Sequence, residues 1–260
     1  MAELIFLDPV LKDVIWGGNA LRTKFGYDIP SETTGEAWVV SAHKNGDCRV
    51  RGGQYDGCTL SQLWDEHREL FGGQEGDQFP ILIKIIDAKQ DLSIQVHPDD
   101  EVAAERYDSL GKTEMWYVID AKPGAKVYNG FNREVSAQEF YDRCHNGTIE
   151  EVLNVIEPKK GDVIFTPAGT VHAADGGLLV AEIQESSDMT FRLYDWGRES
   201  DPATARPMHI EEAIDFIDYR PFDSRNYIKG PLWGEGCHCH DHDHDHDHEH
   251  DHEMIQNLAE

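Results

Sequence analysis

Leu92-Ser-Ile-Gln95-Val-His97-Pro98-Asp-Asp100 holds two side chains that could do chemistry together. Apolar and polar residues alternate from Leu92 to His97, so Gln95 and His97 face the same side of a strand. Pro98, which cannot donate to a sheet ladder, ends it. An inward-facing imidazole and carboxamide are donors that a metal ion accepts. The plain alternative is a core histidine satisfied by a hydrogen bond. A second stretch, Gly111-Lys112-Thr-Glu114-Met-Trp, offers a carboxylate at the start of a strand expected in the same sheet; otherwise Glu114 is a solvated strand-end charge. In the third, Gly161-Asp-Val-Ile-Phe-Thr-Pro167-Ala-Gly169-Thr-Val-His172, a strand runs into a Pro-Ala-Gly turn that reverses the chain and presents His172. An ordinary hairpin with a surface histidine is the competing reading. Two histidines, a carboxylate and an amide oxygen would suit zinc and leave one position for water or substrate.

The elements that must position these groups are mostly short strands. Phe79-Pro-Ile-Leu-Ile-Lys84-Ile-Ile-Asp-Ala88 is a buried strand by its apolar run. Strands are also expected over Gly35–His43, Thr113–Asp120, Ala125–Asn129, Asp162–Thr166, Leu178–Gln184 and Thr190–Trp196. Residues 1–50 otherwise read as irregular. Thr59 N-caps a helix that ends in glycines, and acids crowd the first turn of a short surface helix over Asp99–Tyr107. Ser136-Ala-Gln-Glu139 and Thr148-Ile-Glu-Glu151 match the capping box, predicting two helices over 136–154. A last helix begins at His209. Many short strands with Gly and Pro turns point to a mainly β fold, a sandwich or barrel with inserted short helices.

The net charge is −27, and without the seven acids of Asp241–Glu253 it is still about −20. Nucleic acid and anionic membranes are therefore not expected partners, whereas a small anion could bind where a few Lys and Arg converge. Five scattered cysteines, Cys48, Cys58, Cys144, Cys237 and Cys239, argue against a disulfide framework and for a reducing cytoplasm. No run is apolar enough to span a membrane, and the N-terminus lacks the features of a signal peptide.

The Gly-x5-Pro-x-Gly-x2-His spacing resembles the second metal-binding motif of the cupin superfamily, without the asparagine that often follows. Ser-Ile-Gln-Val-His-Pro-Asp-Asp, Gly-Lys-Thr-Glu-Met-Trp-Tyr, Pro-Ala-Gly-Thr-Val-His and Phe-Arg-Leu-Tyr-Asp-Trp-Gly-Arg stand here in an order similar to that of type I mannose-6-phosphate isomerases, especially the shorter bacterial members. Gly35-Glu36-Ala-Trp and Phe79-Pro-Ile-Leu-Ile-Lys84 fit too, and the likeness covers roughly residues 5–220. It implies a cupin-like jelly-roll barrel and a zinc-dependent aldose–ketose isomerase interconverting mannose 6-phosphate and fructose 6-phosphate. The implied metal ligands are Gln95, His97, Glu114 and His172. Arg192 and Glu182 match an active-site arginine and carboxylate, and Lys112 matches a pocket lysine. Ser93, Lys84 and Glu36 are candidate substrate contacts, Ser93 for a phosphate. The competing roles are a paired strand carboxylate for Glu182, surface or hydrogen-bonded roles for Lys84 and Ser93, and a salt bridge for Arg192. Moving a proton between C1 and C2 through an enediol needs an acid/base and an oxyanion stabiliser. Lys112 could be the base or a phosphate contact. A different sugar phosphate, or a non-catalytic zinc-binding cupin, would use the same scaffold. The joint presence of Lys112, Glu182 and Arg192 favours an enzyme.

The C-terminal stretch departs from that resemblance, which implies a second small barrel. Here the stretch is Cys237-His-Cys-His followed by His alternating with Asp or Glu, with eight histidines from His238 through His240, His242, His244, His246, His248 and His250 to His252. Such a run cannot form a packed core, so a disordered tail able to collect labile zinc, nickel or cobalt ions is expected. The expected division is an isomerase domain over 1–225 and a metal-binding tail over 226–260, in a monomer or a homodimer.

Overall fold

In the computed structural model, residues 4–230 are described. Two facing sheets are built from strands β1 (Val10–Asp13), β2 (Thr34–Val40), β3 (Ile81–Ala88), β4 (Ile94–Val96), β5 (Glu114–Ala121) and β6 (Val127–Phe131). They continue with β7 (Leu153–Ile156), β8 (Val163–Thr166), β9 (His172–Ala174), β10 (Leu178–Glu185), β11 (Phe191–Tyr194) and β12 (Tyr227–Ile228). One sheet has seven strands in the order β12-β8-β5-β10-β3-β2-β1, and the other has five in the order β7-β6-β9-β4-β11. All neighbours pair antiparallel. The expected mainly β, cupin-like architecture is present.

Side-chain alternation sorts each strand between two cores. Ile94, Val96, Ala173, Phe191 and Leu193 point away from the barrel and pack under helices α1 (Ala137–Asn146) and α2 (Ile210–Ala213) through Phe140, Cys144, Ile210 and Ala213. Trp116, Val118, Leu178 and Val180 of the larger sheet meet Leu92, Val127, Ile156 and Ala174 of the smaller one inside the barrel. The interior changes character along the strands. On β10 the inward row runs Leu178, Val180, Glu182, Gln184, all buried, from apolar to polar. The polar end holds the site.

Several expectations are corrected. The strand Val10–Asp13 lies in a segment read as irregular. Ser136 caps α1 by accepting Glu139 N–H at 3.1 Å, whereas Thr148 makes no side-chain cap and Ile149–Val152 is only a 3-10 turn. The chain must enter β7 there, burying Leu153 and Ile156 against β6, so no second helix can form. The helix begun at His209 is a single α-helical turn over Ile210–Ala213. Tyr227–Ile228, beyond the boundary expected at 225, pairs with β8. Glu114 belongs to the larger sheet while Gln95 and His97 lie on the smaller, not in one sheet as the sequence suggested. The eight alternating histidines lie outside the described residues. No helix among the described residues is long and apolar enough to cross a membrane.

Candidate active site

Three turns bring the candidate groups together. Gly169, at φ +81°, donates its N–H to the His97 carbonyl at 2.8 Å, and its own carbonyl accepts Asp218 N–H at 2.9 Å. That turn joins the end of β4 to the start of β9, where His172 stands opposite Gln95. Gly111 lies so close to the Asp99–Asp100 backbone that an added Cβ would fall 2.4 Å from Asp99 C. Lys112 N–H then donates to the Pro98 carbonyl at 3.0 Å, which sets Lys112 beside the histidine strand. The third, after β10, places the Met189 carbonyl 2.8 Å from His97 Nδ1.

His97, Glu114 and His172 form one buried cluster whose potential ligand atoms lie within 4.8 Å of one another. The imidazole Nδ1 atoms face carbonyls, Met189 for His97 and Thr170 for His172, both at 2.8 Å. Carbonyls can only accept, so each Nδ1 carries the proton and each Nε2 presents a lone pair. Those lone pairs face carboxylate oxygens: His172 Nε2 is 3.0 Å from Glu114 Oε1 and His97 Nε2 3.4 Å from Oε2. His97 Nε2 and Glu114 Oε1 are buried without a hydrogen-bond donor. Acceptors aimed at acceptors in a dry site repel unless a cation lies between them, and backing carbonyls are how metal-ligating histidines are oriented. The residues fit a metal ion. Gln95 Nε2 lies 3.4 Å from His172 Nε2, so the carboxamide turned end for end would bring its oxygen to the same point. Burial and the nearby Lys112 ammonium lower the His97 pKa to about 4, which keeps the ring neutral. Burial opposes charge on Glu114, but the Lys112 ammonium holds its carboxyl well below the usual range.

A row of alternating charges extends from this cluster across the larger sheet. Lys112 Nζ is 2.8 Å from Glu114 Oε2 and 3.6 Å from Glu182 Oε1; Lys84 Nζ is 3.0 Å from Glu182 Oε1 and 4.0 Å from Glu36 Oε2. The register explains the row, since Glu182 stands opposite Lys84 on β3 and Trp116 on β5. The Trp116 indole donates to Glu182 Oε2 at 2.9 Å, and the Trp38 indole to Glu36 Oε2 at 2.7 Å. Burial disfavours charge on Glu182, as does Glu114, yet Lys112 and Lys84 keep its pKa below the ordinary value. Burial also opposes charge on Lys84, but Glu182 and Glu36 raise its pKa.

A pocket of about 380 Å³ opens beside this row. Its wall includes every expected substrate or catalytic residue: Glu36, Lys84, Ser93, Lys112, Glu182 and Arg192, together with Gln95. Arg192 Nη1 donates to the Pro207 carbonyl at 2.9 Å, while its Nε is buried without an acceptor. Burial, with Arg206 adding to it, lowers the Arg192 pKa to about 10. The structure thus assembles all ten candidates of residues 1–230. Sequence reading missed Arg206, Asp188 and Thr190 in the same wall. Thr190 stood in an expected strand, but Arg206 and Asp188 lie in loops with no periodic signal.

A family model described as phosphomannose isomerase type I, catalytic domain, matches residues 4–113. A mannose-6-phosphate isomerase of Streptococcus mutans is 48% identical over 217 residues, covering 84% of this chain and 68% of the relative. The mannose-6-phosphate isomerase ManA of Bacillus subtilis is 45% identical over 227 residues, covering 87% and 71%. The crystal structure of the mannose 6-phosphate isomerase from Bacillus subtilis shares the fold with a TM-score of 0.80 at 47% identity, over 84% of this chain and 70% of that one. This chain spans about two thirds of the length of the curated relatives it matches. With the fold and nearly half of all aligned residues in common, the chain belongs to the type I phosphomannose isomerase family.

Proposed function

We propose that this chain is a zinc-dependent isomerase interconverting mannose 6-phosphate and fructose 6-phosphate. The carrying observation is the buried His97–Glu114–His172 cluster, whose facing lone pairs call for a cation, beside a pocket walled by Lys112, Glu182 and Arg192. Zinc, held by these three with Gln95 alongside, would supply Lewis-acid polarisation of substrate oxygens. The chain's own groups supply the rest. Glu182 is ionised between two ammonium groups and steadied by Trp116, so it can accept a proton from substrate carbon or hydroxyl. Lys112, touching both Glu114 and Glu182, can return one and balances charge developing on the enediol oxygens. Arg192 offers a fixed cationic fork with a buried, unused Nε–H for a substrate anion. Ser93, Lys84 and Glu36 line the wall where sugar hydroxyls would lie.

The test couples fructose 6-phosphate formation from mannose 6-phosphate to a reporter, using chelator-treated protein before and after zinc is returned. Activity should be absent, then restored, and reduced at least a hundredfold in zinc-loaded Arg192→Ala. Zinc-loaded protein with no turnover would overturn the assignment. The reading would then move first to another sugar phosphate and next to a non-catalytic zinc-binding cupin.

A further inference from the structure

Arg206 has no role in the reading above, yet it shares the pocket wall with Arg192. It sits in the loop before α2, and its side chain is pinned from behind. Asp195, fully buried, accepts Arg206 Nε at 3.0 Å through Oδ2 and Nη2 at 2.6 Å through Oδ1. That fork leaves Nη1 free of Asp195. Arg198 engages the same carboxylate, donating Nε at 3.1 Å and Nη2 at 2.7 Å to Oδ1, and also gives Nη2 to the Asp91 carbonyl at 2.7 Å. Arg198 is outside the pocket wall.

Two guanidiniums therefore share one carboxylate with Arg192 close by, so three positive charges meet one negative charge here, in a chain whose net charge is −27. Arg192 has no carboxylate partner; its Nη1 is used by a backbone carbonyl and its Nε–H is buried with no acceptor. A buried cationic donor without an acceptor is costly to keep unless a ligand supplies one. A phosphoryl dianion matches on both counts, with nearly two negative charges and three acceptor oxygens.

We propose that Arg206, held by Asp195, joins Arg192 in receiving the substrate's phosphoryl group and selects phosphorylated over free sugar. This rests on the sugar-phosphate reading of the site. Asp195 is a positioning residue in this arrangement, since it touches the arginine and not the ligand.

The experiment compares Arg206→Gln, Arg206→Lys and Arg198→Gln with the parent, all full-length and zinc-loaded. Arg206→Gln should raise KM for mannose 6-phosphate at least tenfold, change kcat less than threefold and lose competitive inhibition by orthophosphate. Arg206→Lys, keeping the charge, should recover part of the affinity. Arg198→Gln removes the other Asp195 contact and should leave KM and orthophosphate inhibition within twofold. An equal rise in KM in both glutamine variants would reduce Arg206 to a structural partner of Asp195 and overturn the proposal. So would an unchanged KM in Arg206→Gln. Thermal stabilisation by orthophosphate separates this inference from the isomerase assignment. If the parent does not isomerise mannose 6-phosphate, stabilisation lost only in Arg206→Gln still supports the anion site, and its retention in that variant overturns it.

Discussion

His97 is oriented by the group behind it. The Met189 carbonyl fixes its tautomer, and Met189 stands three residues before Arg192, so one loop serves both the imidazole and the guanidinium. Ser187 braces that loop, donating to the Leu110 carbonyl at 3.0 Å near Lys112. The donor types were legible in the sequence because strand alternation aims Gln95 and His97 together. The loop contacts were not, since backbone carbonyls carry no side-chain signature. A carboxylate away from the site shows burial acting without such compensation. Burial, reinforced by Asp91, raises the Asp175 pKa to about 6, with only partial relief from Lys126. Its folded pKa lies above its unfolded one, so its stabilising contribution is complete below about pH 4 and disappears as the pH rises through about 6. Asp175→Asn should therefore be more stable than the parent by about 1 kcal/mol at pH 8, the shift being discounted for partial exposure. Near pH 4 the difference should close. Urea unfolding at both pH values checks this.

Elements differ in how openly they announce themselves. The strands carrying Lys84, Gln95, Glu114 and Glu182 were readable from apolar runs and period-two alternation. Capping boxes were readable only where the following residues were free to stay helical. Thr148 shows the limit, because the need to form β7 overrides a local helix signal. Sheet membership was beyond reach, since no local pattern says that Glu114 faces Gln95 across the barrel instead of beside it. The Pro-Ala-Gly turn is the element on which the site most depends. At Gly169 a Cβ would meet the Phe216 carbonyl oxygen at 2.9 Å, and the backbone is left-handed. Gly169→Ala should cost about 1–3 kcal/mol in thermal or chemical unfolding. It should also speed zinc loss to a competing chelator, because the turn carries both His97 and His172. Lower stability with unaltered zinc retention would show the turn to be a fold feature only.

At the scale of the whole molecule, charge is divided unevenly. Arginine clusters at the pocket while acids dominate elsewhere, and the His/Asp stretch lies outside the described residues. If that stretch gathers zinc for the site, deleting 237–253 should slow reactivation of metal-stripped protein at limiting zinc and leave kcat of the loaded protein unchanged. Equal reactivation rates would remove that role. The barrel also holds the unbroken row Glu36–Lys84–Glu182–Lys112–Glu114, all but Glu36 buried and each charge answered by its neighbour. Removing one member strips a neighbouring charge of a partner in a mostly buried row, which typically costs several kcal/mol. These five positions are therefore bound to one another in their mutational history. Single replacements anywhere along the row will be penalised beyond their own chemistry, compensated pairs will be tolerated better than either change alone, and the row can drift only in concerted steps.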